Sequence, residues 1–238
     1  MPPGHAGIWP RRYLGTWVLQ VLISAKHRFI FVHIYKTGGD SLTDALRPYA
    51  DRFPGDEAIR RIVGLWTRYI GGLPPALLRE RHRFPKHIDA LTLYERIPEE
   101  QVAGSFKFAF VRNPWDWQVS LYHYARSNPN THQTAEYRAL DGFEDYVRWR
   151  LEKGQRTQKS FISNLDGQII VDFVGRFETL NRDFQAVCDK IGITAALPHI
   201  NASERTRYQD YYTPETRDAI GELFEDDIEA FDYEFESD

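Results

Sequence analysis

Three short runs of apolar residues divide the chain, and a helical pattern follows each of them. The first, Phe29 to Ile34, is interrupted only by His33. It breaks at Lys36-Thr37-Gly38-Gly39-Asp40-Ser41 and gives way to Leu42, Ala45, Leu46 and Tyr49 at helical spacing. The second, Phe106 to Val111, ends in Arg112-Asn113-Pro114 and leads into Trp115, Val119, Tyr122 and Tyr124. The third, Ile169 to Val174, precedes the stripe Phe177, Leu180, Phe184, Val187, Cys188 and Ile191, which Gly192 closes. Mainly apolar runs of this length predict strands buried on both faces, and the periodic stretches predict helices. Further helices are expected over Asp56 to Ile70, from Ile59, Ile62, Val63, Trp66 and Ile70, and over Phe143 to Leu151. A short one is expected within Asp89 to Ile97, stopped by Pro98, and a long one from Thr213-Pro214-Glu215 through Ile220, Leu223, Phe224, Ile228 and Phe231. The stretches from Lys153 to Asn164 and from Ala195 to Tyr212 read as mostly irregular. Strands alternating with helices predict an α/β fold of three layers, a mostly parallel central sheet flanked by helices.

Composition narrows the function classes. With 238 residues, 42% of them hydrophobic, the chain can build the core of one α/β domain. A net charge of −4 provides no global basic field for nucleic acid, so any anion site is local. One cysteine, Cys188, excludes an internal disulfide and a CxxC metal site, and no metal-ligand cluster stands out. Tyr13 to Ala25 is apolar but carries Gln20 and is flanked by Arg11-Arg12 and Lys26-His27-Arg28. It falls short of the ~20 residues that cross a bilayer, so it is compatible with contact at a membrane surface and not with spanning. Residues 1–28 therefore read as a leader or packing helix, and residues 29–238 as a single domain.

The candidate chemistry sits where strands hand over to helices. Glycines at 38 and 39 let the chain turn sharply and let an anion approach the backbone, and the first N–H groups of the following helix have no internal partner. Lys36 adds a charge, and Thr37 and Ser41 add hydroxyls. The order is not that of a Walker A loop, in which the lysine follows the second glycine. The second corner repeats the logic. Arg112 can grip a phosphate with two parallel bonds, and Ser120 lies about two turns along the next helix. On the residues alone, each corner retains an ordinary alternative, a plain connector for the first and an ion-paired arginine for the second.

HIYKTGGDSL followed by FKFAFVRNPWDWQVSLYHY resembles the sulfotransferase superfamily, in particular its carbohydrate branch of heparan- and chondroitin-type enzymes and their bacterial relatives. The segments IIVDFVGRFETLNRDFQAVC and LPHINASERTRYQDYYTPETR extend the likeness to about Phe235. The resemblance implies a P-loop-NTPase-like sulfotransferase fold and the donor 3′-phosphoadenosine 5′-phosphosulfate (PAPS), used without a metal. Lys36, Thr37, Gly38, Gly39, Asp40 and Ser41 match the loop that holds the 5′-phosphosulfate, and Arg112 and Ser120 match the 3′-phosphate pair. His87, in PKHIDAL, matches the catalytic base; His82 is the second choice, and His123 is a candidate lining of the acceptor site. Ser203, Arg205 and Arg207 fall where the family places a loop over the nucleotide. The implied acceptor is a carbohydrate hydroxyl, and the implied location is cytoplasmic. Three positions depart from the pattern: Tyr35 where proline is frequent, Asp40 where threonine or serine is usual, and Trp117 where arginine is common. Two other readings compete, a small-molecule kinase and a non-catalytic nucleotide-binding protein.

Overall fold

The second apolar run forms a strand with the bounds its pattern predicts, β3, Phe106–Val111. The first forms β2, Phe29–Val32. A computed structural model describes residues 21–51, 87–127, 136–137, 139–198 and 206–235. β1, Leu22–Ser24, and β4, Phe173–Arg176, complete a four-stranded sheet of order β1-β2-β3-β4. β2 and β3 are parallel with Phe29 opposite Phe106 and Phe31 opposite Phe108; β3 and β4 are parallel with Phe108 opposite Phe173. Only β1 runs antiparallel, Leu22 against Phe31. Parallel neighbours need long crossovers, and helices supply them here.

The helices are α1 Gly39–Leu46, α2 Ala90–Tyr94, α3 Glu99–Ala103, α4 Pro114–Ser127, α5 Phe143–Lys153, α6 Leu180–Ile191, α7 Pro214–Leu223 and α8 Glu225–Phe231. One sheet face carries Phe29, Phe31, Phe108 and Phe110 against Leu42 and Leu46 of α1 and Phe184, Val187, Cys188 and Ile191 of α6. The phenylalanines form a ladder, with Phe31 and Phe108 stacked 5.3 Å apart. Thr213 caps α7 with a reciprocal box: its hydroxyl accepts from Thr216 N, and the Thr216 hydroxyl accepts from Thr213 N. Gly192 closes α6 in the left-handed conformation, φ 67°.

Several expectations are corrected. Leu22–Ser24, expected at the end of a helix, pair with β2 instead, and all three residues are buried. The third strand is displaced towards the C-terminus, to Phe173–Arg176; Ile169 makes an isolated bridge to Ser163 around a turn at Gly167. Gly175 explains the choice of segment. A Cβ there would stand 2.4 Å from the Phe110 ring, so β4 lies close to β3 at a position where only a glycine leaves room. Pro98 does not only end a helix but also caps α3. The helix from Thr213 breaks at Phe224, whose buried side chain sits at the junction of α7 and α8. The stretch after α5, expected to be irregular, holds a short 3₁₀ helix, Lys159–Phe161, and buries Gln158, Phe161 and Ile162. The helix expected over Asp56 to Ile70 lies outside the described residues.

Gly175→Ala should destabilise the protein by about 1–3 kcal/mol, as overpacked core positions do. Urea denaturation measures this, and an unchanged midpoint would contradict the close approach of β4 to Phe110.

Candidate functional site

The first corner is the turn between β2 and α1. Lys36 adopts φ 63°, which is unusual for a residue with a side chain, and Gly38 adopts φ 82° as the N-cap of α1. Gly38 has no side chain with which to cap, so the first N–H groups of α1 receive no side-chain cap. Gly39 is pressed against His33, where a Cβ would fall 1.9 Å from Nε2. The Thr37 hydroxyl is buried and donates to the Ile34 carbonyl at 2.9 Å. The Lys36 ammonium lies 4.5 Å from the centre of the Tyr124 ring on α4. Ser41 is buried. Asp40 is exposed in the first turn of α1; it is not the N-cap. A carboxylate there faces the positive end of the helix.

The second corner lies where β3 meets α4. Arg112 is buried, and its guanidinium makes charge-assisted contacts with Asp116, from Nε at 2.7 Å and from a terminal nitrogen at 2.6 Å. Its other terminal nitrogen donates to the Lys36 carbonyl at 3.2 Å, and its plane lies 3.9 Å from the centre of the Phe177 ring. One residue earlier in the first turn, the Tyr35 carbonyl accepts from Trp117 Nε1 at 2.7 Å, and the two rings stack 5.1 Å apart. The two corners expected from the sequence are thus in direct contact. Trp117 is fully buried and serves this join, which accounts for an indole at a position where arginine is common.

Gln158 clamps the main chain of Arg112. It accepts from Arg112 N at 2.9 Å and donates to Arg112 O at 2.8 Å. Asp227 on α8 holds Gln158 in turn, accepting from the backbone of Gln158 at 2.8 Å and of Lys159 at 2.7 Å. Burial pushes the Asp227 carboxyl up to about 6, although those N–H donors pull the other way. Nothing in the local pattern marks either residue, because both act at a distance along the chain.

His87 stands beside the first corner. Its Nδ1 is 3.1 Å from the His33 carbonyl, and its ring meets His33 at 4.8 Å and Tyr35 at 5.5 Å, both edge to face. Ser120 is buried on α4. His123 bonds to the Tyr211 hydroxyl at 2.8 Å. Arg207 pairs with Asp210 at 3.5 Å near the start of the last helical region. Ser203, Arg205 and His82 lie outside the described residues. Among the described residues no group of three or more His, Cys, Asp or Glu side chains could hold a metal ion, and no helix is long and apolar enough to cross a membrane.

The model of the sulfotransferase family matches residues 19–234. No curated protein matches the chain. Among solved structures, the crystal structure of mouse sulfotransferase SULT7A1 complexed with PAP is 16% identical, covering 87% of this chain and 86% of that one with a TM-score of 0.49.

The raised Asp227 carboxyl has a pH consequence with a definite sign. Between the ordinary value of an unfolded aspartate, ~3.9, and about 6, the folded protein binds more protons than the unfolded one. Asp227 therefore favours the folded state more as pH falls from 7 towards 4. The stability of wild type minus that of Asp227→Asn should rise over that interval, by no more than about 3 kcal/mol. Denaturant titrations at pH 4, 5, 6 and 7 check this, and a difference that stays flat or falls with acidity would contradict it.

Proposed function

The chain belongs to the sulfotransferase family and is a PAPS-dependent sulfotransferase, and we propose that it moves the sulfuryl group onto a carbohydrate hydroxyl by in-line displacement. The observation that carries this reading is the join between the corners. A glycine turn at an uncapped helix start and an arginine at the next strand end meet at the Lys36 carbonyl, on neighbouring strands of one sheet.

In this reading the first turn acts as a P-loop-like cradle. Lys36, Thr37, Gly38, Gly39, Asp40 and Ser41 hold the 5′-phosphosulfate, chiefly through backbone N–H groups and the Lys36 charge. Arg112 and Ser120 take the 3′-phosphate, which would share the guanidinium with Asp116. Ser203, Arg205 and Arg207 close over the nucleotide. A cytoplasmic location belongs to the same reading.

The contacts of His87 suit a base. A carbonyl oxygen only accepts, so the His87 Nδ1 facing the His33 carbonyl carries the hydrogen, and the lone pair falls on Nε2. Nε2 takes the proton of the acceptor hydroxyl as its oxygen bonds to sulfur. The bond from sulfur to the phosphate oxygen breaks, and 3′-phosphoadenosine 5′-phosphate (PAP) departs. Lys36 neutralises the charge that gathers on that leaving oxygen. As in phosphoryl transfer, positioning and charge stabilisation do most of the work.

PAP should raise the melting temperature where ATP at the same concentration does not, because a ligand of the native state shifts unfolding by mass action; a shift with ATP alone would sink the donor assignment. His87→Ala should lower transfer from PAPS to a panel of oligosaccharides by about 10²–10⁴-fold, with PAP affinity kept within about twofold. Transfer near the wild-type rate would remove His87 from the mechanism.

A further inference from the structure

A line of hydrogen bonds, buried at its Arg150 end, runs from Arg150 to the turn that carries Lys36, and its direction is fixed at that end. Arg150, on α5, is buried, and among the described residues no carboxylate lies within ion-pairing distance of it. Its partners are phenols and ring faces. It donates to the Tyr137 hydroxyl at 2.7 Å and, from two nitrogens at 3.2 Å each, to the Tyr146 hydroxyl. Trp149 and Tyr146 lie against its guanidinium, with centroids at 4.9 and 5.2 Å.

A guanidinium can only donate. Its two bonds fill the acceptor capacity of the Tyr146 oxygen, so the Tyr146 proton must be given away. It goes to Gln118 Oε1 at 2.7 Å, inside the core. That sets the Gln118 amide, whose nitrogen donates to Gln155 Oε1 at 3.2 Å. The Gln155 nitrogen then donates to the Tyr35 hydroxyl at 2.7 Å. Turning Gln118 over would point an N–H at the Tyr146 oxygen, already filled, and turning Gln155 over would set its N–H against the N–H of Gln118, so the polarity of the whole line follows from Arg150. It ends on Tyr35 with the phenol oxygen accepting, and the Tyr35 proton remains to be donated. Among the described residues no group accepts it.

Tyr35 is well placed to use that proton. It directly precedes Lys36, is only partly buried, and sets its ring between the Trp117 face and the edge of the His87 ring. We propose that Tyr35 is a further donor-site residue, giving its phenolic proton to an oxygen of the sulfuryl group under transfer. The inference rests on the PAPS reading of the first corner. It gives a role to a residue that stands where the resembled family often has proline, and it explains why the buried Tyr146 and Gln118, the half-buried Gln155 and a cation without a carboxylate partner among the described residues line up behind it. Burial is the main cause that raises the Tyr35 hydroxyl above its ordinary value, outweighing the Gln155 bond and the Arg150 and Arg156 charges, so the phenol stays protonated at neutral pH.

The test uses the one group that distinguishes PAPS from PAP. Tyr35→Phe keeps the stacked ring and removes only the hydroxyl. Titration calorimetry should show PAPS binding weakened by about tenfold, the loss of one hydrogen bond to a charged group, with PAP affinity within about twofold of wild type. Gln155→Leu, which frees the phenol to turn without removing it, should weaken PAPS by less. Equal losses for PAPS and PAP, or no loss for Tyr35→Phe, would overturn the role of Tyr35, as would a PAPS defect in Gln155→Leu that Tyr35→Phe does not share. Wild-type protein that bound neither nucleotide would overturn the donor reading itself, and this inference with it.

Discussion

A single guanidinium ties the two strand ends together. Arg112 is buried, and a buried cation persists only where charge and hydrogen bonds replace the lost water. Asp116, in the first turn of α4, supplies the charge, and the Lys36 carbonyl supplies a third bond. The neighbouring Tyr35 carbonyl is taken by Trp117 of the same helix. Two successive carbonyls of the first turn are therefore drawn towards the second corner, one by Arg112 and one by Trp117. This over-determines the turn and supports the positive φ of Lys36, a conformation that costs about 1–3 kcal/mol in an unsupported residue. The rest of the site is arranged around that join. Gln158 holds the main chain of Arg112, Asp227 holds Gln158, His33 leans on Gly39 of the turn, and His87 packs against His33 and Tyr35.

The electrostatics follow from the packing. The chain as a whole is negative, with a net charge of −4, yet Lys36 and the Asp116-paired Arg112 both belong to the turn region, and Arg150 stands behind it without a carboxylate partner among the described residues. Cations held in a low-dielectric interior act more strongly on a nearby anion than the same cations would in water. A local positive site on a negative protein suits an anionic donor, and it requires no basic surface elsewhere. The three departures from the family pattern also gain physical meaning. Asp40 faces solvent at a helix start, Trp117 closes the join between the corners, and Tyr35 ends a polarised line of hydrogen bonds.

Legibility in the sequence depended on how local the cause was. β3 could be read from a six-residue run, apolar but for Lys107 and bounded by a polar turn, and the start of α7 from Thr213 and Pro214, because strand burial and helix capping act within a few residues. Lys36 and Arg112 were legible as candidate anion ligands because each sits at a strand-to-helix handover. β1 was not, since three residues of strand carry too little pattern and depend on pairing with β2. The position of β4 was misread because its register rests on Gly175 meeting Phe110, a contact across 65 residues of chain. Gln158, Asp227, Gln118 and Gln155 left no local trace at all. Their bonds span 28 to 120 residues, and a glutamine that clamps a strand end looks, in sequence, like any surface glutamine.

The most direct test of this account is a crystal structure of the protein with PAP bound. The account expects the 5′-phosphate against the backbone N–H groups of residues 38–41, with the Lys36 ammonium turned from Tyr124 towards it, and the 3′-phosphate within reach of Arg112 and Ser120. A nucleotide lodged away from both corners, with Arg112 still bridging Asp116 and the Lys36 carbonyl untouched, would contradict it.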